Sequence, residues 1–300
     1  MNDEELLGEL EPCARQLLNR HLGNAQEWFP HELVPWSRGR DFVAGQPWVP
    51  ASEIGVAARS ALFVNLLTED NLPYYFRTIE GRFGRDDAWG EWARRWTAEE
   101  GRHAIVLRDY LTVSRALDPV VLERARMIQV ARGVVPEASS AAELLVYVSL
   151  QELATRIAHH NTGRLLDEAG RRIMTRVATD ENLHHLFYRD VTAAALELDP
   201  EGMMGAIERQ VRGFAMPGVG IPDFAQHART IADAGVYDVA THHDQILMPV
   251  LVRQWRLDRI EGLRAAGNQA RERLFAYLER TGRIARRLLD RRAQQIAAST

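Results

Sequence analysis

Residues 96–103 read WTAEEGRH and residues 178–185 read ATDENLHH. Each carries a Glu-x-x-His, Glu100 with His103 and Glu181 with His184, inside a stretch whose apolar residues recur at helical spacing. Side chains three apart on a helix share a face, so each pair aims a carboxylate and an imidazole at one point. Two further helical stretches each set a glutamate among apolar residues. Glu69 follows Leu62, Phe63, Leu66 and Leu67, and Glu152 follows Leu145, Val148 and Leu150. The order Glu, Glu-x-x-His, Glu, Glu-x-x-His on four long helices is that of a carboxylate-bridged two-metal bundle.

Four carboxylates facing one core would repel one another and carry a large desolvation cost. Two divalent cations cancel the four negative charges, and neutral imidazoles complete the set. Hard carboxylates with imidazole suit iron or manganese, whereas zinc commonly takes fewer ligands. A single Glu-x-x-His is most simply a solvated helix face, and a lone glutamate a surface residue. The four elements in this order point to metal.

Of the 300 residues, 46% are hydrophobic and 26% charged, ordinary for a globular chain. A net charge of -4 gives no reason to expect a nucleic-acid partner. All 37 basic residues are arginine, and the absence of lysine excludes both a Schiff-base lysine and a lysine-bearing phosphate loop. Cys13 is the only cysteine, so no internal disulfide, thiolate zinc site or cysteine-held iron–sulfur cluster forms. The opening MNDEELLGELEP is acidic and lacks the apolar segment of a secretory signal. No apolar run of about 18 residues suggests a transmembrane span. A cytoplasmic protein is expected.

The periodicity predicts one all-α domain over residues 1–300, with residues 1–50 a helix and strap, 51–200 the metal-binding four-helix core, and 201–300 additional helices. Leu6, Leu7, Leu10, Ala14, Leu17 and Leu18 mark the first amphipathic helix. A Trp-, Pro- and Gly-rich stretch from Trp28 to Pro50 is irregular. Ser52 is placed to cap a helix running to Glu80, kinked at Pro73. Asp87 opens another, and Asp118-Pro119 a shorter one. Ser140 caps a helix from Ala141 to Glu168, and Gly170 separates it from one running from Arg171 to Leu198. Residues 214–224 form a loop, and two or three further helices end in an arginine-rich one after Gly267.

Beyond the bare spacing, the words around these residues resemble the soluble acyl-carrier-protein desaturase family (fatty acid desaturase type 2) over nearly the whole chain. LLTEDNLPYY (66–75), WTAEEGRH (96–103), QELATR (151–156) and ATDENLHH (178–185) are similar to its four ligand motifs. NAQEWFPHELVPWSRG (24–39), GVYDVATHHDQILMPVLVRQW (235–255) and EGLRAAG (261–267) also resemble family segments, closest to actinobacterial members. The resemblance implies a ferritin-like helical bundle, all-α, with a di-iron four-helix core and extra flanking helices. It implies two Fe2+ ions per chain: Glu69, Glu100 and His103 on one, Glu152, Glu181 and His184 on the other, with Glu100 and Glu181 bridging. Thr155 matches an active-site threonine assigned to proton delivery, and Asp180 a carboxylate that orients a ligating imidazole. Trp28 and Trp96 match tryptophans near the site, with Trp28 a candidate for electron entry and packing an equally good account of either. Gly101 departs from the family pattern, setting a helix-weakening residue beside a ligand. His185 is read as a residue behind the ligands or at the surface, pointing about 100° away from His184.

The implied activity removes two hydrogens from an unactivated acyl chain carried on acyl carrier protein, using dioxygen and two external electrons, and leaves a cis double bond. Such C–H bonds lie beyond acid–base side chains and call for a cofactor. No dinucleotide fingerprint follows a strand, so a ferredoxin-type donor is expected, and the family suggests a homodimer. The acyl tail needs a dry slot, which the faces around Leu62–Leu67 and Leu144–Leu150 are placed to line. Arg283, Arg286, Arg287, Arg291 and Arg292 offer a docking patch for an acidic carrier, though a solvated helix face is the simpler account. Rival readings are an iron-storage ferritin, a ribonucleotide reductase small subunit and a di-iron hydroxylase or N-oxygenase. Leu107, four residues after His103, stands where the reductase needs its radical tyrosine. A relative that has lost its metal is opposed by the intact ligand set.

Overall fold

Asn2 and Glu5 start the first helix, α1 (Asp3–Asn24), by a reciprocal cap in which Asn2 Oδ1 accepts the Glu5 N–H at 2.9 Å. Leu6, Leu10, Ala14, Leu17 and Leu18 are buried along one face of α1, as the spacing predicts, and His21 continues that stripe. The computed structural model describes residues 1–43, 45–49, 54–136, 138–218 and 220–299. Among the described residues every regular element is helical. None of these helices is long and apolar enough to cross a membrane.

After α1 the chain runs through a strap holding a short helix α2 (Pro30–Leu33) and a 3-10 turn at Trp36–Arg38. The cap assigned to Ser52 lies outside the described residues. The helix expected to run to Glu80 with a kink is two helices, α3 (Val56–Glu69) and α4 (Leu72–Phe83). Pro73 lies in the first turn of α4, where its missing N–H costs nothing, so it starts a helix rather than bending one. Asn71 between them is fully buried and donates its amide to the Val134 carbonyl at 2.9 Å. Glu69 is therefore the last residue of its helix.

Helix α5 (Asp87–Ser114) begins at Asp87 as predicted. It buries Trp89, Trp92 and Trp96 together with Glu100, His103 and Leu107. Asp118 caps α6 (Pro119–Arg132) by accepting the Val120 N–H at 2.9 Å. Ser140 caps α7, but that helix (Ala141–Gly163) ends five residues earlier than expected. Gly170 does not separate two helices: it lies inside α8 (Glu168–Leu198). Asp167 accepts the Gly170 N–H at 2.8 Å, so the cap outweighs the weak helix propensity of glycine. The glycine is also required by space, because a Cβ there would lie 2.5 Å from the Tyr110 hydroxyl.

Helices α3, α5, α7 and α8 form the four-helix core, with α7 and α8 packed along their length. α1 lies across α5 and α8, and its leucines join the same apolar cluster as Trp92, Leu145 and Phe187. The remainder includes α9 (Pro200–Gly213), irregular chain at 214–218 and 220–223, α10 (Phe224–Asp233), α11 (Val239–His242) running into a π-helical segment (His243–Gln254), and α12 (Ala265–Ser299).

Candidate metal centre

The core helices bring all six predicted ligands together. α3 supplies Glu69 from its end, α5 Glu100 and His103, α7 Glu152, and α8 Glu181 and His184. None is more than 6% exposed. They form two groups that share Glu100 and Glu181, one with Glu69 and His103, the other with Glu152 and His184. Glu100 sets Oε2 3.2 Å from His103 Nδ1 and Oε1 2.9 Å from His184 Nδ1. Glu181 repeats this, Oε1 at 3.5 Å from His103 Nδ1 and Oε2 at 3.8 Å from His184 Nδ1. Glu69 reaches only the His103 side (3.8 Å), and Glu152 only the His184 side (3.7 Å).

The donors fit a pair of cations. Glu100 Oε1, Glu152 Oε2, Glu181 Oε1 and His184 Nδ1 are buried without a hydrogen-bond partner, a costly state unless something else coordinates them. Burial pushes the Glu69 carboxyl up to about 8, with Glu100 and Glu181 adding to the push, and it raises Glu152 well above its ordinary range. Burial alone would lower both histidines, but the surrounding carboxylates outweigh it and raise His103 and His184 well above their ordinary range. Shifts in these directions draw protons to the site, and two divalent ions would displace them.

Behind these six candidate ligands the supports cross between helices. Asp180 precedes Glu181 on α8 and faces His103 of α5, with its Oδ2 3.5 Å from His103 Nε2. Glu99 precedes Glu100 on α5 and accepts from His184 of α8, Oε2 to Nε2 at 3.0 Å. Burial pushes Glu99 up, but the hydrogen bonds from His184 and His21 overcome it and hold the carboxyl well below its usual range. Trp28 donates its indole N–H to Asp180 at 2.7 Å and lies stacked 6.4 Å from His103, under the guanidinium of Arg102. Trp96 donates to Glu152 Oε1 at 3.0 Å. With its Nε2 proton held by Glu99, His184 would offer the Nδ1 lone pair to a metal among the carboxylates once the Nδ1 proton is displaced.

Two apolar cavities meet at the site and share Thr68, Glu69, Thr155 and Pro217. One runs on past Tyr75, Ile79 and Leu144, the other past Ala61, Phe224 and Tyr237. Leu144 and Val148 line the slot as expected. Leu62, Leu66 and Leu67 instead pack into the core, and Ala61, Val64 and Asn65 on another face of α3 line the cavity.

The family model described as "Fatty acid desaturase" matches residues 2–300. The chain belongs to that family. Mycobacterium tuberculosis DesA1, named as an acyl-[acyl-carrier-protein] desaturase, is 45% identical over 291 residues, covering 93% of this desaturase and 86% of DesA1. The chloroplastic stearoyl-[acyl-carrier-protein] 9-desaturase 6 of Arabidopsis thaliana is 33% identical over 251 residues, 77% of this chain and 63% of its own. The X-ray structure of M. tuberculosis DesA2 superposes with a TM-score of 0.70 at 27% identity, covering 89% of this chain and 99% of that one.

In this desaturase Thr155 lies where the two cavities meet, its hydroxyl donating to the Gln151 carbonyl (2.9 Å) and accepting from the Gln151 side-chain amide (2.8 Å). His185 is buried rather than at the surface, and it touches no ligand. It donates to the Ser149 carbonyl at 2.8 Å and so ties α8 to α7, and burial pushes its pKa down to about 4. α5 runs unbroken through Gly101. On α12, Arg283, Arg286, Arg287 and Arg291 are exposed, while Arg292 is bound into the fold by Asp238. Sequence reasoning missed His159, whose Nε2 lies 3.2 Å from Glu69 and 3.4 Å from Glu181, and the pair Glu99 and His21. Two signals were available: His159 falls seven residues, two helical turns, after Glu152, and Glu99 stands to Glu100 as Asp180 stands to Glu181.

Proposed function

We propose that this family member is an acyl-[acyl-carrier-protein] desaturase that takes two hydrogens from adjacent methylenes of a carrier-bound fatty acyl chain. The sharing of Glu100 and Glu181 by two buried donor groups, at the junction of two apolar cavities, carries this reading. One iron would be held by Glu69, Glu100, His103 and Glu181, the other by Glu100, Glu152, Glu181 and His184. When bound, the iron pair supplies the oxidising power drawn from dioxygen. The balance is one acyl CH2–CH2, one O2, two electrons and two protons giving one CH=CH and two waters.

The chain's own residues do the rest. The apolar walls hold the acyl tail and keep bulk water from it. Its bend lies where Glu69 and Thr155 border both cavities, which fixes the pair of carbons presented to the site. The Thr155 hydroxyl, set between the Gln151 carbonyl and amide, hands on a proton at that point. Asp180 and Glu99 orient His103 and His184. Trp28, between Asp180 and the guanidinium of Arg102, is the entry point for electrons from a ferredoxin-type donor. We read the protein as a cytoplasmic homodimer, with the exposed arginines of α12 available to the acidic carrier.

The test is reconstitution with ferrous iron, ferredoxin, its reductase, and acyl carrier protein loaded with saturated chains of several lengths. Mass spectrometry should locate one new double bond in at least one product. Recovery of every chain saturated, from protein holding two irons and consuming dioxygen, would sink the assignment.

A further inference from the structure

The supports behind His103 and His184 look alike but are anchored differently. Asp180 takes the Trp28 indole at 2.7 Å, Arg102 at 3.4 Å, and a further ion pair from Arg176. Glu99 is held by arginine at one oxygen only, with Arg102 3.9 Å from its Oε1. Arg95 pairs with its Oε1 at 2.5 Å, from a side chain 39% exposed. The oxygen that His184 uses, Oε2, receives among the described residues only one other hydrogen bond, from His21 Nε2 at 2.9 Å. His21 comes from α1, outside the four core helices. It is 4% exposed, edge-on to Trp92 at 5.0 Å and stacked 5.8 Å from His184.

His21, Glu99 and His184 could themselves be taken for a metal site. The contacts argue otherwise. Both imidazoles sit at hydrogen-bond distance from one ionised oxygen, so both donate, and Arg95 already balances the charge.

We propose that His21 is a positioning residue for the metal centre: through Glu99 it fixes the tautomer and direction of His184, so that α1 governs retention of the iron on the Glu152 side. This rests on the two-iron reading of the site. Such outer partners are worth about 10- to 100-fold in metal affinity.

The experiment is an anaerobic ferrous titration of the full chain against a competing chelator, with 57Fe Mössbauer spectra at each step. The native chain should bind two equivalents tightly. His21→Leu, which keeps bulk in an apolar setting, should keep one tight equivalent and weaken the other 10- to 100-fold. His21→Gln, which can return an N–H near the place of Nε2, should restore most of that loss. In a His184→Ala background His21→Leu should change nothing further, whereas with His103→Ala the two losses should add. Two tight equivalents in His21→Leu, or His21→Gln as weak as His21→Leu, would overturn the proposal while leaving the two-iron reading intact. A native chain that binds no iron would overturn both.

Discussion

His159 Nε2 lies 3.2 Å from Glu69 Oε1, an imidazole of α7 steadying a carboxylate at the very end of α3. Both groups are buried, and Glu69 has no further helical turn beyond it to hold its backbone. Replacing His159 with Phe should free the Glu69 carboxylate and lower iron affinity about 10- to 100-fold. Chelator competition checks this, and an unchanged affinity would mean that Glu69 is fixed by other contacts.

Glu100 has one oxygen toward each histidine, so Glu100→Ala should lower the retention of both ions. Glu69→Ala should chiefly affect one, because Glu69 faces only the His103 side. Iron per chain after gel filtration separates these outcomes. Full retention of two irons in Glu100→Ala would contradict the shared role.

Thr155 borders both cavities without belonging to either donor group. Thr155→Val keeps the shape and removes the hydroxyl. Iron content should stay at the native value while turnover falls about 100-fold, the low end of what a positioned proton donor contributes. Loss of iron in this variant would show a structural role instead.

Much of this was legible beforehand because ligands carry spacing. Glu100 with His103 and Glu181 with His184 are three apart, and helical geometry makes that a statement about direction. Glu69 and Glu152 stood out as acids inside apolar runs. His21 and His159 carry no such mark: each reaches the site from another helix, and only packing reveals it. Pro73 and Gly170 misled for a related reason. Each was read by its intrinsic tendency, while Pro73 falls in a first turn and Asp167 holds Gly170 by its N–H.

Gly170→Ala tests that last point. The added methyl would press on the Tyr110 hydroxyl and Leu166, and should destabilise the fold by about 1–3 kcal/mol despite the better helix propensity of alanine. Denaturant unfolding measures it. A stabilised variant would mean that α5 yields easily at Tyr110.

His242 predicts an acid limit. Its Nδ1 accepts the Tyr237 hydroxyl at 2.8 Å, its ring stacks on Phe214, and burial, with His243 beside it, pushes its pKa down to about 4. The unfolded chain binds that proton near pH 6.5. The group's stabilising contribution is therefore complete above pH 6.5 and is lost as pH falls toward 4, by at most about 3 kcal/mol. His242→Gln should show a shallower stability loss than the native chain between pH 7 and 4.5. Identical slopes in urea titrations would remove His242 from the account.

The crossed supports also act as a gauge between two helices. Glu99 on α5 reaches across to His184 on α8, and Asp180 on α8 faces back to His103 on α5. Sliding one helix along the other by a single residue, about 1.5 Å, would pull both pairs apart together. The apolar faces of α5 and α8 would tolerate such a slip far better than these directional contacts do. Chains trapped one step out of alignment would then be recognisable as folded helical protein that never fills with iron.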